Sequence, residues 1–488
     1  MQDVKSGGTN PKWRNRKHSQ AAIVLFFFGV FVCGYQIKTV LALPPGFRDE
    51  GVVSEKQSVG FNFVPSKGYA SRADWLLLTT RKKGQIVAIL DPDKGENNDP
   101  GTNNHESQKV VVLDIEEKVC SEGERGVFQV LPHPNFMENN YVYVFFTYDL
   151  YGGCGYSPVD GAVNAVARYR LKGHGYKTGD RQLRMLDEKI IFMSNPLPSK
   201  VHNGGDMKFG HDGHLYLTLG NGGMSSEYGN AEKTNTLLGS IIRITDDGGI
   251  PLDNPFQNTN DRPCGMDGNI VLSPEGGGRC SEIWAYGFRN PFRFALAPNN
   301  GINNTETTFF VNDVGGSFFE EIDRVTSSAG GLNYGYRERE GPCSRMTNDD
   351  CSPDPRYIDP IFWYEHIDRA DASLTGGAFV PEGIWPESYT GRYLFADFVF
   401  RTISILSKED PSKACRECSP PIPAFSQEHF MDPRGQPLQV RFVVCSNIGR
   451  SKRINRFFVL TFRFVSLFLV SFGIADLWSL QRLASAVL

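Results

Sequence analysis

This sequence of 488 residues has no large excess of charge of either sign: 51 basic and 55 acidic residues leave a formal net charge of −4. No basic stripe runs through the globular part, which argues against a nucleic-acid partner. A long helical heptad pattern and a Gly/Ser-rich linker are also missing. These absences argue against a coiled coil and against domains joined by flexible linkers.

What the sequence does contain favours β-structure. It has 51 glycines, 35 phenylalanines and a hydrophobic content of 40%, enough for a large core. Short β-rich runs follow turn residues along much of the chain, at 75–80, 141–148, 214–219, 308–313 and 392–398. Four-stranded blades repeated around an axis produce this pattern. A pair of β-sandwiches would give a similar density of strands, so the spacing by itself leaves both open.

The first 42 residues have the features of a targeting segment. An apolar run at 21–35 follows five basic residues, Lys5, Lys12, Arg14, Arg16 and Lys17. Such a run is short for a membrane span and is typical of a signal peptide. The small-residue site at Val40-Leu41-Ala42 suits cleavage, whereas the long basic lead also allows an uncleaved signal anchor. Either reading predicts a protein that is secreted, or membrane-anchored with its globular part outside the cytosol.

The cysteines agree with an oxidising compartment. The spacings of Cys264 with Cys280 and of Cys343 with Cys351 suit local disulfides that staple loops. A third pair, Cys120 with Cys154, would leave Cys445 unpaired. The motif C-R-E-C at 415–418 has no second CxxC to complete a zinc site. An N-glycosylation sequon at 303–305 would be used only if the chain is secreted.

The character of the sequence changes after residue 440. Four basic residues precede an apolar run at 457–475 that contains one arginine. This run could span a membrane, although burying the arginine in the bilayer would be costly. It could instead be a non-native tail from a mis-predicted gene end. We therefore expect a globular domain at 43–440 and an atypical tail at 441–488, and whether the last blade is complete stays open at this stage.

His202 is the first candidate catalytic residue. It precedes Asn203-Gly204-Gly205, so it lies at a turn rather than inside a strand. A loop histidine can reach a ligand in a central channel, and its pKa suits proton abstraction near neutral pH. The alternative is a histidine that only caps a turn.

Arg289 is the second candidate, because Asn290-Pro291 follows it and proline restricts the backbone before it. A guanidinium held in this way could stabilise developing negative charge on oxygen. The alternative is a structural salt bridge. The nearby Arg293 is the better candidate for a structural arginine.

Two further loops are candidates for ligand contact. The Gly315-Gly316 turn, with Glu320 and Glu321 after it, offers only oxygen ligands and therefore suits calcium better than zinc. A solvated acidic pair is the alternative. Glu124 and Arg125, in the glycine-rich stretch 122–126, could contact a ligand or form a local ion pair.

Several motifs in the same order resemble the glucose/sorbosone dehydrogenase family over about residues 43–406. They are G-E-R-G-V-F-Q-V-L-P-H-P-N-F from 123, H-N-G-G-D-M-K-F-G-H-D-G-H-L-Y from 202, G-F-R-N-P-F-R-F from 287, and D-V-G-G-S-F-F-E-E-I-D-R-V from 313 with N-Y-G-Y from 333. Soluble quinoprotein glucose dehydrogenases, aldose sugar dehydrogenases and hedgehog-interacting proteins belong to this family. The resemblance implies an all-β, six-bladed β-propeller of four-stranded antiparallel blades that binds pyrroloquinoline quinone and Ca²⁺.

The resemblance also implies roles for individual residues. His202 matches the base that takes the proton from the C1 hydroxyl of the sugar, while Arg289 and Asn290 match residues beside the quinone oxygen. Glu124 and Arg125 fall in the early cofactor-contacting loop. The calcium positions are matched by Gly315 and Gly316 at the cofactor, and by Glu320, Glu321 and Tyr334 at a neighbouring structural site.

Some positions depart from the family pattern. Val201 replaces an aspartate before the base, and Glu124 replaces a cofactor-contacting glutamine. No lysine stands on the late strand where the glucose enzymes carry a cofactor-binding one; Arg401 is the candidate substitute. Losing a cation there would weaken the binding of an anionic cofactor.

Two functions therefore stay open at this stage. The first is a quinone-dependent oxidoreductase that oxidises the C1 hydroxyl of an aldose to a lactone and passes electrons to an unknown acceptor. The second is a non-catalytic extracellular propeller that binds a protein or carbohydrate ligand.

Overall fold

Strands account for nearly all the regular structure in the computed structural model. The structure describes residues 47–55, 57–64, 75–90, 108–155, 161–173, 183–223, 229–266, 269–270, 278–298, 306–345, 350–366, 372–383, 385–407, 409–414, 423–431, 437–444, 455–461 and 466–472. The targeting segment at 1–42, the sequon at 303–305 and the cysteines Cys415, Cys418 and Cys445 lie outside these ranges. Among the described residues no helix has the length and apolar character needed to cross a membrane.

The strands in chain order are β1 (Phe47–Ser54), β2 (Phe61–Val64), β3 (Trp75–Thr80), β4 (Gln85–Leu90), β5 (Gln108–Asp114), β6 (Val127–Pro132), β7 (Tyr141–Tyr148), β8 (Val163–Lys172), β9 (Arg184–Pro196), β10 (Met207–Phe209), β11 (Leu215–Leu219), β12 (Ser240–Ile244), β13 (Gly265–Met266), β14 (Asn269–Ile270), β15 (Ile283–Tyr286), β16 (Pro291–Leu296), β17 (Thr308–Asp313), β18 (Phe319–Thr326), β19 (Leu332–Asn333), β20 (Arg339–Glu340), β21 (Cys343–Ser344), β22 (Phe362–Glu365), β23 (Leu374–Phe379), β24 (Tyr393–Asp397), β25 (Thr402–Leu406), β26 (Gln427–Met431), β27 (Pro437–Val444), β28 (Asn455–Thr461) and β29 (Ser466–Phe472). The described helical elements are the single turn α1 (Phe136–Asn139) and short 3₁₀ turns at Glu116–Lys118, Asn230–Glu232, Glu387–Tyr389 and Pro411–Lys413.

The strands form an all-β propeller. Five sheets have four antiparallel strands each, in the orders β2-β3-β4-β5, β6-β7-β8-β9, β16-β17-β18-β22, β23-β24-β25-β26 and β1-β29-β28-β27. Another sheet has the order β10-β11-β12-β15-β19, in which β19 pairs in parallel with β15. The predicted four-stranded antiparallel blades are confirmed by the five four-stranded sheets.

Apolar residues fill the space between successive sheets. This packing explains why the sequence contains many short apolar strands and few segments with the periodicity of a helix. On β7, Val144 and Phe146 pack into the core shared with the preceding sheet. Tyr143 and Phe145, which point the other way, pack into the core shared with the following sheet. Alternate side chains of one strand thus pack into two different cores, because successive residues of a strand face opposite sides of the sheet.

The part of the chain after residue 440 also contributes strands. β27 (Pro437–Val444) runs across the expected domain boundary at 440, and β28 and β29 lie within the expected tail. These three strands form one sheet with β1 from the start of the described chain. The apolar run at 457–475 therefore contains two strands that pair with other strands of the domain.

Among the described residues, three disulfides cross-link the segments between strands. Cys120 bonds to Cys154, Cys264 to Cys280, and Cys343 to Cys351. All three pairings agree with the expectation from the sequence. Such bonds stabilise mainly by restricting the unfolded chain.

Arg293, on β16, ties distant parts of the propeller together. Its side chain is buried and donates hydrogen bonds to the carbonyls of Gly205 (3.2 Å) and Val59 (2.7 Å). Residues from three sheets or their connecting turns thus meet at one guanidinium. Its interpretation as a structural arginine is supported by these contacts.

Candidate functional site

A cavity of about 400 Å³ lies where turns from several sheets converge. Its size is within the range typical of small-molecule and cofactor sites. Six residues predicted from the sequence line it together: Glu124, His202, Arg289, Asn290, Gly315 and Gly316. The cavity also contains Val59, Arg81, Gly123, Phe292, Val314, His366, Ala372, Ser373, Thr375 and Phe398.

His202 is held by hydrogen bonds on its backbone and on its ring. Its φ of 56° is unusual for a residue with a side chain, and its N–H donates to Oε2 of Glu124 at 2.7 Å. The ring Nδ1 lies 2.9 Å from Oδ1 of Asn221. The close approach of Gly220, where an added Cβ would collide with the His202 carbonyl, also fixes this turn.

The partners of Asn221 identify which ring nitrogen of His202 carries the proton. Oδ1 of Asn221 accepts a second hydrogen bond, from the N–H of Gly223 at 2.9 Å, so this atom is an oxygen acceptor. Nδ1 of His202 must therefore donate to it, which leaves the lone pair on Nε2. Among the described residues, Nε2 has no hydrogen-bonding partner. An imidazole in this state can accept a proton from a ligand in the cavity.

The electrostatic surroundings keep this imidazole neutral. Burial, followed by the positive charge of Arg289, lowers the pKa of His202 to about 4, although the hydrogen bond to Asn221 opposes the change. The ring is consequently unprotonated at neutral pH, which is the form that a general base requires.

Arg289 and Asn290 are positioned through one buried carboxylate. The backbone N–H groups of Arg289 and Asn290 donate to Asp313 at 2.8 and 2.6 Å. Nη1 of Arg289 donates to the carbonyl of Val314 at 2.9 Å, and among the described residues Arg289 forms no ion pair. Oδ1 of Asn290 accepts from the N–H of Gly204 at 3.0 Å. The arginine therefore lines the cavity without the structural salt bridge that was its alternative role.

The Gly315-Gly316 turn is shaped by Glu340. Oε1 of Glu340 accepts the N–H groups of four consecutive residues, at 2.8 Å from Gly316, 2.6 Å from Ser317, 2.7 Å from Phe318 and 3.2 Å from Phe319. A side chain at 315 would collide with the carbonyl of Phe319. No described donor reaches the carbonyl oxygens of Gly315 or Gly316, so both remain available to a cation.

Glu124 and Arg81 add charge to the cavity. Glu124 is open toward the cavity but otherwise surrounded by protein, and this burial raises the pKa of its carboxyl above the usual value. Arg81, at the end of β3, donates from Nη1 to the carbonyls of Gly123 (2.5 Å) and Arg125 (2.9 Å). The cavity therefore contains two guanidinium groups, from Arg81 and Arg289.

Two residues predicted to bind the cofactor do not line the cavity. Arg125 is fully buried, and its guanidinium donates to the carbonyls of Cys154 (2.9 Å) and Ser199 (2.9 Å), which is a structural role. Among the described residues, no ion pair joins Arg125 to Glu124, which was the alternative to ligand contact. Arg401 lies exposed in the turn between β24 and β25, and Phe398 from the same turn lines the cavity instead. Arg401 is therefore not among the residues that line the cavity, and its role as a substitute for the missing lysine stays a prediction.

The predicted neighbouring calcium residues are also outside the lining. Glu320 is buried and accepts hydrogen bonds from Nε2 of His366 at 2.9 Å and from the N–H of Leu374 at 2.8 Å. The Tyr334 hydroxyl donates to the carbonyl of Arg324 at 2.7 Å. Glu321 is buried and accepts from the N–H of Gly341 at 3.0 Å. The alternative of a solvated acidic pair is wrong for both glutamates.

Glu321 belongs to a buried group of acidic residues behind the cavity. Asp313 is its cross-strand neighbour on β17, and Asp323 follows two positions along β18 on the same face. Burial raises the pKa of all three carboxyls. Repulsion from neighbouring carboxylates raises these pKa values further: Asp323 and Asp313 act on Glu321, Asp313 acts on Asp323, and Glu320 acts on Asp313. Such a concentration of buried carboxylates is stable as anions only beside a positive charge.

Sequence reasoning missed four residues that shape the site: Arg81, Asn221, Glu340 and His366. None stands in a conspicuous motif except Asn221, which lies in the L-G-N-G-G stretch after β11. The polar residue in that glycine-rich turn was a usable signal. The other three come from distant segments, and their convergence depends on the closure of the propeller.

The fold and the cavity define a class of protein: a β-propeller with a loop-built cavity that holds a neutral imidazole, two guanidinium groups and free backbone carbonyls. The family model described as Glucose / Sorbosone dehydrogenase matches residues 68–418. The chain belongs to this family.

Similar proteins include plant, bacterial and animal members. The HIPL2 protein of Arabidopsis thaliana is 28% identical over 413 residues, which cover 74% of this chain and 54% of that protein. The aldose sugar dehydrogenase YliI of Escherichia coli (strain K12) is 27% identical, over 45% of this chain and 47% of that protein. The chain thus spans about half the length of the curated relatives it matches.

Solved structures confirm the fold. The PQQ-bound aldose sugar dehydrogenase from Streptomyces coelicolor has a TM-score of 0.56 at 18% identity, over 88% of this chain and 99% of that chain. A glucose dehydrogenase crystal structure has a TM-score of 0.58 at 21% identity, over 87% of this chain and 99% of that chain. At these identities the likeness supports the architecture.

Proposed function

We propose that this protein is a quinone-dependent oxidoreductase that oxidises the C1 hydroxyl of an aldose to a lactone. The single observation that carries the proposal is the neutral imidazole of His202, whose free Nε2 shares a cavity with Arg289. Family membership and the aldose sugar dehydrogenase among its relatives support a sugar oxidoreductase.

In this proposal His202 acts as the base. Nε2 of His202 accepts the proton of the C1 hydroxyl, while Nδ1–H stays bonded to Asn221 and keeps the ring oriented. The guanidinium of Arg289 stabilises the negative charge that develops on oxygen. The imidazolium formed after proton transfer is disfavoured by the same Arg289 charge, which promotes release of the proton afterwards.

The donor set of the cavity fits pyrroloquinoline quinone, which carries carboxylates. Arg81 and Arg289 supply positive charge, and Asn290 and Thr375 are polar residues of the lining. When bound, this group would accept the hydride from C1 of the sugar. The electron acceptor that follows it is unknown.

We propose Ca²⁺ as the second cofactor. The unbonded carbonyls of Gly315 and Gly316 are hard oxygen ligands beside the cavity, and the buried carboxylates of Asp313, Glu321 and Asp323 add negative charge behind them. The cation would hold an anionic cofactor against the glycine turn and offset the repulsion between the carboxylates.

The test is reconstitution of the purified protein with the quinone and Ca²⁺, followed by dye reduction with a panel of aldoses. We expect turnover with at least one aldose and an absorbance change on cofactor binding. His202→Ala should keep cofactor binding and lose roughly 10²–10⁴-fold in kcat, the range for one general base. Full activity in His202→Ala would remove the proposed base.

A second function remains a candidate because of Arg401. Its exposed position leaves the cavity without the late-strand cation that the resemblance led us to expect. Relatives of the chain include hedgehog-interacting proteins. A folded protein that shows neither turnover nor a cofactor absorbance change would favour a non-catalytic extracellular propeller that binds a protein or carbohydrate.

We further propose six blades, with the five-stranded sheet as one of them. Its four antiparallel strands β10, β11, β12 and β15 would form that blade, with β19 as an addition. Three disulfides support the proposal of an oxidising compartment, either secreted or membrane-anchored.

A further inference from the structure

A second cavity, of about 640 Å³, lies between two neighbouring sheets. One wall is β22, with Trp363 and Tyr364, and the other is formed by β24, β25 and β26. Phe400, from the β24–β25 turn, is 37% exposed and completes an aromatic wall. None of the motifs that identify the first cavity contributes to it.

The second cavity adjoins the first along two segments of the chain. His366 lines the first cavity, and its immediate neighbour Glu365 lines the second. In the β24–β25 turn, Phe398 lines the first cavity and Phe400 the second. Two residues of chain span at most about 7 Å, so the two spaces are separated by little more than this turn.

Asp397 makes the partition between the two cavities rigid. Its Oδ2 accepts the Tyr364 hydroxyl at 2.7 Å and the N–H of Ser373 at 3.0 Å, and Ser373 lines the first cavity. Its Oδ1 accepts the N–H of Phe400 at 2.6 Å. The turn that carries Phe398 and Phe400 is thereby fixed to both walls.

The lining of the second cavity indicates a neutral, hydroxyl-rich ligand. It contains no lysine or arginine, in contrast to the first cavity, so it is unsuited to an anion. Its polar groups are mixed. The exposed Glu365 accepts hydrogen bonds, while the exposed Gln427 and His429 and the partly buried Thr402 can both donate and accept. Sugar hydroxyls also donate and accept, and the C–H face of a sugar ring packs on an aromatic side chain.

We propose that the second cavity binds a glycosyl unit of an oligosaccharide whose reducing-end sugar occupies the first cavity. This inference rests on the proposed function, since it assigns the C1 hydroxyl to the site of His202. It makes the preferred substrate an oligosaccharide rather than a free monosaccharide. Phe400 supplies the stacking surface and Glu365 accepts hydrogen bonds from the bound unit.

Binding is tested with the purified full chain and with trisaccharides of glucose, galactose, mannose and xylose whose C1 hydroxyl is blocked as a methyl glycoside. Because these probes cannot be oxidised, isothermal titration calorimetry reports on the second cavity even if the protein has no dehydrogenase activity. Phe400→Ala should weaken binding about tenfold, and Glu365→Gln should weaken it several-fold.

Val399→Ala is the matched control. Val399 is 40% exposed in the same turn and lines neither cavity, so its truncation should leave binding unchanged. Thermal unfolding checks that all three variants fold. Wild-type protein that binds none of the trisaccharides, or a Val399→Ala variant that loses as much affinity as Phe400→Ala, would overturn the proposal.

The reconstituted enzyme gives a second readout. Phe400→Ala should lower kcat/KM for a reducing trisaccharide about tenfold and leave kcat/KM for its monosaccharide unchanged. Equal losses for both substrates would contradict a separate subsite. Absence of all turnover, together with Phe400-dependent binding of the blocked trisaccharides, would refute the proposed oxidation while retaining the carbohydrate site.

Discussion

At the scale of single residues, the site depends on how polar atoms are paired around His202. Asn221 fixes the tautomer of the ring, while Glu124 holds its backbone. Burial, followed by the charge of Arg289, lowers the pKa of the ring and keeps it neutral. A histidine, an arginine and a glycine turn could each be singled out from the sequence. Their partners could not, because a hydrogen-bonding partner is defined by spatial proximity.

Replacing Asn221 with aspartate should raise the pKa of His202. An adjacent carboxylate stabilises the imidazolium and typically raises the pKa of a neighbouring cation by roughly 1–3. From about 4 in the wild type, the midpoint should move upward, so protonation occurs at higher pH. NMR titration of the histidine rings measures the pKa of His202, and the His202→Ala variant assigns its signal.

The control for this prediction is Asn230→Asp. Asn230 donates to the backbone carbonyl of Asn221 rather than to the ring, so its effect on the His202 titration should be smaller. An unchanged midpoint in Asn221→Asp would show that the two side chains are not bonded in solution.

At the scale of elements, one glutamate organises the turn that follows β17. Glu340 accepts four backbone N–H groups through Oε1 and lies beside Nε of Arg345 at 3.1 Å through Oε2. Burial by itself would raise the pKa of Glu340, but these backbone hydrogen bonds outweigh it and lower the pKa. The free carbonyls of Gly315 and Gly316 are held at the cavity by this arrangement.

Glu340→Gln should lower the free energy of unfolding by about 2–3 kcal/mol, because a neutral amide replaces a buried, charge-assisted acceptor. The affinity for Ca²⁺ should fall as well, since the glycine turn loses its anchor. Denaturant titration measures the free energy of unfolding, and calorimetric titration measures the affinity for Ca²⁺.

The control is the exposed Glu338→Gln, which should change the free energy of unfolding by less than about 0.5 kcal/mol. Equal effects of the two substitutions would contradict the role of Glu340.

At the scale of the whole molecule, Arg293 and the acidic group behind the cavity couple the site to stability. Arg293 joins backbone segments that are far apart in the chain. The carboxyl groups of Asp313, Glu321 and Asp323 form a buried acidic cluster, and burial raises the pKa of each of them.

Arg293→Met should lower the free energy of unfolding by about 3 kcal/mol or more, because the carbonyls of Val59 and Gly205 lose a buried donor. Denaturant titration at neutral pH measures the change. Arg356, whose side chain is 72% exposed in its pair with Asp354, provides the control. Arg356→Met should change the free energy of unfolding far less, because exposed ion pairs contribute little. A similarly small loss for Arg293→Met would refute its linking role.

Without Ca²⁺, the protein should become less stable as the pH rises. The raised pKa values of Asp313, Glu321 and Asp323 mean that the folded state binds more protons than the unfolded state above about pH 4. Their contribution is complete at low pH and is lost as the pH passes through the folded-state pKa values. Bound Ca²⁺ should reduce this loss by compensating the charge.

The measurement is the free energy of unfolding at pH 5 and pH 8, with Ca²⁺ and with a chelator. We expect chelation to destabilise the protein more at pH 8 than at pH 5. A stability that does not respond to Ca²⁺ at pH 8 would contradict a calcium site beside these carboxylates.

The sequence by itself determined that the chain is rich in β-strands, and it singled out six residues that line the cavity. These features are local. The alternation of a strand is visible over a few residues, and the residues of a glycine turn are consecutive in the sequence. His202, Arg289 and Gly315-Gly316 could therefore be recognised without coordinates.

Only the tertiary structure decided which charged residues face the cavity. Arg125 lies one residue from Glu124 yet is turned into the protein, where it satisfies backbone carbonyls. Arg81 enters from another sheet, and the second cavity exists only because β22 and β24–β26 pack side by side. The direction of a side chain at a turn depends on backbone geometry and on contacts with distant strands, which adjacent letters of a sequence do not encode.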